Sequence, residues 1–263
     1  MADSRNETPP LSLLTHDNSP AEVSDEAPTQ PARGSLWSRW VPISTGLAFA
    51  ATWALSLGVV STGTGRALIA ACAAVAIVGV VLLASRTRLG RVVVGVAALG
   101  SCWLLLAPQP DPNLLRNRYV TELEHFSGTP YVWGGESSSG IDCSGLVRCG
   151  LIRALIGQGS PTLACQLWWR DCTAGELGAG HRGLTRPVCE AVSLKALDPS
   201  RLLPGDLAVT RDGRHVLAYL GEGHWIQADP GARRVVCHSV TEPNAWHTVP
   251  VRVVRWTVLS EDA

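Results

Sequence analysis

Uncharged apolar residues are concentrated in three stretches near the N-terminus, residues 40–65, 67–85 and 92–110. A helix rises about 1.5 Å per residue, so the middle stretch would be ~28 Å long, close to the ~30 Å hydrocarbon core of a bilayer. That stretch is apolar on every side, as a lipid-exposed helix is. We therefore predict about three transmembrane helices within residues 37–110. The alternative, a buried helical hairpin, would need a large soluble core to cover all three stretches.

The first 36 residues have the composition of a disordered tail. They hold five prolines and six acidic residues but no aromatic side chain, and such a segment buries too little apolar surface to offset its chain entropy. A cleaved signal peptide would place an apolar stretch at the very start of the chain, whereas here it begins only near Val41. We therefore predict a disordered tail over residues 1–36 and no signal peptide.

The arginines between the apolar stretches predict an orientation. Arg33 and Arg39 precede the first stretch, residues 86–91 contain three arginines, and Arg66 stands alone between the first two stretches. Basic residues remain on the cytoplasmic side, so the tail and the second loop are predicted inside. With three spans, the region 111–263 lies on the outer side of a bacterial cytoplasmic membrane. If the third stretch does not cross, that region is cytoplasmic.

The C-terminal region 111–263 has the pattern of one α+β domain. Apolar residues at helical spacing predict helices over 114–126 and 142–156, and a shorter one over 161–172. The glycine-rich stretch 173–183 is predicted to be a long loop. Alternating residues and turn signals predict five strands, the first three of them a meander, over 206–210, 215–220, 224–228, 233–240 and 251–259. Helices followed by an antiparallel sheet give an α+β fold class.

The balance of charges argues against a nucleic-acid-binding protein. The chain has 22 basic and 22 acidic residues, so its formal net charge is zero and nothing resembles a phosphate-binding stripe. We expect no nucleic-acid partner and no cofactor. The membrane bilayer is the partner that the apolar stretches predict.

Cys143 is the strongest candidate for chemistry from the residues alone. It stands in GIDCSGL, where a loop ends and a predicted helix begins. The partial positive charge and free N–H groups of a helix N-terminus stabilise a thiolate and an oxyanion, so we expect its pKa to fall to about 7 or below. Gly145 keeps the first turn free of a side chain. A buried structural cysteine is the alternative.

A base and an orienting acceptor for the thiol are found in two neighbouring strands. His215 opens one predicted strand and Gln227 lies in the next, and pairing across the GEG turn brings them opposite each other or nearly so. The Gln227 side-chain oxygen can accept a hydrogen bond from the imidazole. Asp229, on the same face, is the competing acceptor.

Three blocks together resemble the NlpC-type cell-wall cysteine peptidases and stand in that family's order: PYVWGGESSSGIDCSGLV (130–147), LLPGDLAV (202–209) and RHVLAYLGEGHWIQAD (214–229). The resemblance does not extend to residues 1–110. It implies a papain-like α+β fold, with the nucleophile on a helix that packs against an antiparallel sheet. It also implies cleavage of amide bonds in peptidoglycan stem peptides, often next to D-Glu, through an acyl-enzyme.

The resemblance also assigns roles to single residues. Cys143 matches the nucleophile, His215 the base, and Gln227 a polar third residue that is commonly His and sometimes Asn or Gln. Tyr131 matches a tyrosine whose hydroxyl lies by the thiol and helps the oxyanion. Asp142 and Ser144 match positions that line the substrate pocket. Trp133 flanks this catalytic block and is a further candidate for the pocket wall, with a place in the core as the alternative.

The region 157–203 is longer than in compact members of that family. This insert is expected to cover the cleft or to narrow the choice of substrate. It contains three cysteines, and a disulfide pairing among Cys149, Cys165, Cys172, Cys189 and Cys237 cannot be deduced from the sequence.

A zinc site is the other interpretation of these cysteines, with His181 and His238 as further ligands. No CxxC motif appears, so we expect no metal site. Two further functions remain open at this point. One is a thiol-dependent amidase or acyltransferase that acts on another amide or on a lipid, and the other is a non-catalytic domain that binds wall peptides.

Overall fold

The computed structural model describes residues 34–56, 58, 62–105 and 109–260. Residues 1–33 of the predicted tail lie outside the described residues, and residues 34–36 belong to the first helix. That helix, α1, spans Gly34–Ser56 and packs against α2, Gly63–Ala84. Helix α3, Arg88–Leu105, packs against α2 in turn.

Only α2, among the described residues, is long and apolar enough to cross a membrane. Its most apolar 18-residue window has a mean hydropathy of 2.9, and 11% of that window is buried. The prediction of about three spans is therefore not supported. The stretch 40–65 is divided between two helices, and α3 begins with Arg88 and Arg91 in its first turn. Arg66, predicted in a loop, instead lies in the first turn of α2 and is buried.

Four further α-helices follow in the described part of the chain, and the first of them, α4, spans Pro112–Glu124. Asp111 caps α4, because its side chain accepts from the N–H groups of Asn113 and Leu114 at 2.8 and 3.2 Å. The other three have the bounds α5 Cys143–Gly157, α6 Pro161–Trp169 and α7 Ala174–Gly178. Helix α7 lies inside the predicted loop 173–183, where Thr173 and Glu176 form a capping box.

Within the described residues, eight strands form a small hairpin and one antiparallel sheet. The hairpin pairs β1, Glu136–Ser137, with β2, Gly140–Ile141. The strands of the sheet are β3 Thr185–Ala191, β4 Leu207–Thr210, β5 Val216–Gly221, β6 His224–Asp229, β7 Arg234–Ser239 and β8 Val251–Trp256. Their order is β3-β8-β4-β5-β6-β7, so the predicted meander and the α+β class are confirmed.

Each face of the sheet has its own apolar core. The helices cover one face, where Leu146 and Leu151 of α5 pack with Val216 and Ile226 of the sheet. The insert covers the opposite face, where Leu194 packs in a second cluster whose sheet members include Leu217, Tyr219 and Trp225. Strand β3, which the sequence analysis did not predict, also belongs to the insert. The insert therefore completes the fold rather than only covering a cleft.

Candidate functional site

Cys143 is the first residue of α5, as predicted, and Asp142 fixes the start of that helix. One carboxylate oxygen of Asp142 accepts from the Gly145 N–H at 2.6 Å and from the Ser144 hydroxyl at 3.0 Å. The other accepts from the Gly134 N–H at 2.9 Å. Cys143 is buried, with 7% of its surface exposed. Asp142 thus holds both the helix and the neighbouring loop beside the thiol.

Gly145 is required at this position by a close backbone approach. A Cβ added there would lie 2.2 Å from the carbonyl oxygen of Gly135, which no side chain can tolerate. The same carbonyl oxygen of Gly135 accepts a hydrogen bond from the Asp142 N–H at 3.1 Å. The glycine therefore allows the loop to pass directly across the first turn of α5.

His215 precedes β5 and is almost completely buried, with 2% of its surface exposed. Its Nε2 lies 2.6 Å from Oε1 of Gln227 in β6. A carbonyl oxygen only accepts, so Nε2 carries the proton and Nδ1 keeps its lone pair. Ala218 pairs with Ile226, and this register places Gln227 diagonally across from His215.

Asp229, the competing acceptor, does not contact the imidazole. One of its carboxylate oxygens accepts from the Gly231 N–H at 2.7 Å and the other from the Asn244 amide at 3.1 Å. Its charge still raises the pKa of His215 from a distance. The structure thus brings Gln227, and not Asp229, to the ring.

The thiol and the imidazole are both shifted towards their uncharged forms. Burial, followed by the charge of Asp142, raises the pKa of Cys143 to about 11, although the backbone N–H groups of Ser144 and Val216 act in the opposite direction. Burial lowers the pKa of His215, whereas the hydrogen bond that the ring donates to Gln227 acts in the opposite direction. The expectation that the helix N-terminus lowers the thiol pKa to about 7 is therefore wrong, because burial outweighs the helix.

Cys143 and His215 open into one cleft of about 970 Å³. The cleft is also lined by the four other residues that the sequence analysis expected there, namely Tyr131, Trp133, Asp142 and Ser144. Trp133 is 80% exposed at its lip. Gln227 does not line the cleft and is buried behind the imidazole.

Tyr131 approaches the thiol from the loop before β1. Burial raises its pKa to about 12, and the charges of Cys143 and Asp142 act in the same direction. Its backbone N–H donates to the Arg233 carbonyl at 2.9 Å, which fixes its position. The hydroxyl therefore remains protonated and able to donate a hydrogen bond in the cleft.

Trp246 is a site residue that the sequence analysis missed. Its ring stacks on the imidazole of His215, with the centroids 4.1 Å apart and the planes inclined by 19°. It lies in the short 3-10 helix Ala245–Thr248, between β7 and β8, where no periodic pattern marks it. Its proximity to the imidazole arises only when the sheet forms.

The described residues contain no group of three or more His, Cys, Asp and Glu placed to hold a metal ion, so the zinc interpretation finds no supporting cluster there. All eight cysteines are free thiols in the structure.

The sequence model of the NlpC/P60 family matches residues 128–255. Dipeptidyl-peptidase 6 of Lysinibacillus sphaericus is 28% identical over 132 residues, which are 50% of this chain and 39% of that protein. The chain thus spans about two fifths of the length of the curated relative that it matches.

Two solved structures are also similar to this chain. The peptidoglycan hydrolase RipB of Mycobacterium tuberculosis is 22% identical, with a TM-score of 0.37, 89% of this chain covered and 94% of that chain. The NlpC/p60 domain of the peptidoglycan hydrolase SagA is 27% identical, with a TM-score of 0.35, 53% of this chain covered and 97% of that chain. The family model matches residues 128–255, a range that contains Cys143, His215 and Gln227, so this part of the chain is similar to the NlpC/P60 family.

Proposed function

We propose that this domain is a papain-like cysteine peptidase that hydrolyses amide bonds in peptidoglycan stem peptides. The observation that supports it best is the 2.6 Å contact between Nε2 of His215 and Oε1 of Gln227, because it leaves Nδ1 able to accept a proton on a ring that lines the same cleft as Cys143. The match to the NlpC/P60 family and the name of the curated relative, a peptidase, support the same class of reaction.

In the proposed reaction, the resting pair is a neutral thiol and a neutral imidazole. Nδ1 of His215 takes the proton from Cys143 as the sulfur attacks the amide carbon. The backbone N–H of Cys143 and the Tyr131 hydroxyl stabilise the oxyanion. The imidazolium then gives its proton to the leaving amine, and the C–N bond breaks. Water, deprotonated by the same imidazole, hydrolyses the thioester and releases the thiol.

The surrounding residues have distinct proposed roles. Gln227 is a positioning residue, because it touches the base and not the cleft. Asp142 and Ser144 hold the start of α5 in place and border the substrate. Trp133 at the lip offers an exposed aromatic face to the substrate. Trp246, which also lines the cleft, stacks on the imidazole and shields that face of the ring from water.

We further propose that the domain acts on the outer side of a bacterial cytoplasmic membrane. Peptidoglycan is present only on that side, and α2 provides a helix that is long and apolar enough to bind the bilayer. The three arginines within residues 86–91 follow α2, which favours its C-terminal end inside. The outer location of the domain therefore requires α3, which packs against α2, to return the chain across the bilayer.

Hydrolysis of purified muropeptides by the full chain tests the proposal. We expect new free amines from the native protein and none from Cys143→Ala. Cys165→Ala is the matched control, since Cys165 is an exposed thiol outside the cleft. Retained hydrolysis by Cys143→Ala would reject the nucleophile. Hydrolysis of a different amide, but not of muropeptides, would favour the amidase, and failure of every substrate together with an unreactive Cys143 would favour a binding domain.

A further inference from the structure

A buried ion network joins the apolar helix α2 to the catalytic domain. Arg66, in the first turn of α2, is 1% exposed, and its Nη2 lies 2.5 Å from Oε1 of Glu136 and 3.5 Å from Oδ2 of Asp171. Arg148 of α5 is also 1% exposed and binds the same two carboxylates. Two guanidinium groups therefore share two carboxylates, which fixes α2 to the helix that begins at Cys143.

The same network borders the candidate cleft. Glu136 and Asp171 line it together with Cys143 and His215, and so do Thr62 and Gly63 at the N-terminal end of α2. Thr62 caps α2, with its hydroxyl oxygen accepting from the Gly65 N–H at 3.1 Å. The N-terminal end of the apolar helix is thus part of the wall of the cleft.

The rest of α2 has the length and surface of a helix in lipid. From Ala67 to Ala84 it carries no charge and, at about 1.5 Å per residue, extends ~27 Å. Its large side chains are exposed along this length, among them Leu68, Ile77 and Val80. Arg66 therefore marks one boundary of the apolar segment, and Thr62, four residues earlier, lies roughly 6 Å beyond it.

We propose that the Arg66 network holds the cleft at the membrane surface, and that the substrate is a stem peptide still attached to a lipid anchor in the same bilayer. This inference rests on the function proposed above. An extended peptide spans about 3.5 Å per residue, so a stem of five residues reaches ~17 Å. That reach exceeds the roughly 6 Å by which Thr62, in the wall of the cleft, lies beyond the boundary. Wall polymer away from the membrane would lie beyond a cleft fixed in this way.

The test uses the full chain in lipid nanodiscs and measures labelling of Cys143. The probes are stem peptides that end in a thiol-reactive electrophile and are joined to a phospholipid headgroup through polyethylene glycol spacers of increasing length. The same electrophilic peptide without lipid is the reference probe. We expect the probe with the shortest spacer to label Cys143 at least tenfold faster than an equal bulk concentration of the reference, with no gain from longer spacers.

Arg66→Gln tests the role of the network, and Arg86→Gln, an exposed arginine near the other end of α2, is its control. We expect Arg66→Gln to shift efficient labelling to longer spacers and Arg86→Gln to behave like the native protein. Glu136→Gln provides a second variant in case Arg66→Gln fails to fold, and it should produce the same shift. If the reference probe labels Cys143 while short spacers do not, or if both network variants keep the native spacer dependence, this inference is wrong. If the reference probe fails to label Cys143, the proposed function itself fails.

Discussion

Gln227→Ala removes the one side chain that contacts the Nε2 atom of His215 in the described part of the protein. The bond is 2.6 Å long and completely buried, since Gln227 is 1% and His215 2% exposed. Without it, the proton of the neutral imidazole is no longer held on Nε2. A larger fraction of the protein then carries that proton on Nδ1, where the ring cannot accept one from Cys143.

The size of the effect follows from the energy of this contact. A neutral hydrogen bond contributes about 1 kcal/mol net, and leaving a buried partner unsatisfied adds about 1 kcal/mol or more. A loss of ~2 kcal/mol in the transition state corresponds to a roughly thirtyfold lower kcat. KM should change little, because Gln227 does not line the cleft.

The assay is steady-state hydrolysis of a muropeptide by the full chain, with Gln166→Ala as the matched control. Gln166 is an exposed glutamine of α6, outside the cleft around Cys143. Gln227→His should recover most of the lost rate, since an imidazole nitrogen can accept from Nε2 as the amide oxygen does. Equal rates for Gln227→Ala and Gln166→Ala would refute the orienting role, as would a change confined to KM.

Three further predictions concern the electrostatics and stability of the site. The thiol of Cys143, followed by its alkylation rate against pH, should titrate near 11, and a titration below 8 would contradict the neutral resting pair. Trp246→Ala should hydrate the imidazole and raise its pKa towards the ordinary value, because burial is the main cause of its lowering. The acid limb of kcat/KM should therefore move to higher pH, while Trp169→Ala, at an exposed ring, leaves it unchanged. Arg148→Met removes one partner from a buried ion network and should lower the free energy of unfolding by about 3 kcal/mol in urea titrations. Arg186→Met, at an exposed arginine, should lower it by less than about 0.5 kcal/mol.

The parts of the fold that the sequence predicted depend on local patterns. Alternation of apolar residues defined the strands 206–210 and 224–228 to within a residue or two of β4 and β6. The turn between β5 and β6 fixed the register, and with it the approach of Gln227 to His215. The loop-to-helix change at Cys143 located the start of α5 because Asp142 is a good helix cap.

The parts that were missed depend on contacts between distant segments. Strand β3 lies at the edge of the sheet, contains Pro187 and is largely exposed, so its pattern is weak. Arg66 and Glu136 are 70 positions apart in the chain, and no sequence pattern around either residue indicates that they form an ion pair. The thiol pKa was misjudged for the same reason, because the degree of burial around Cys143 is a property of the assembled core.

Mass spectrometry of the protein mixed with a stem-peptide substrate and stopped in acid would show directly whether Cys143 forms an acyl-enzyme. The proposed mechanism requires a covalent adduct with the mass of the acyl fragment of the substrate on the peptide that contains Cys143, and none in Cys143→Ala. It also requires the adduct to form much more slowly in His215→Ala. Hydrolysis that proceeds at the native rate in Cys143→Ala, or an adduct on any other residue of an active protein, would contradict it.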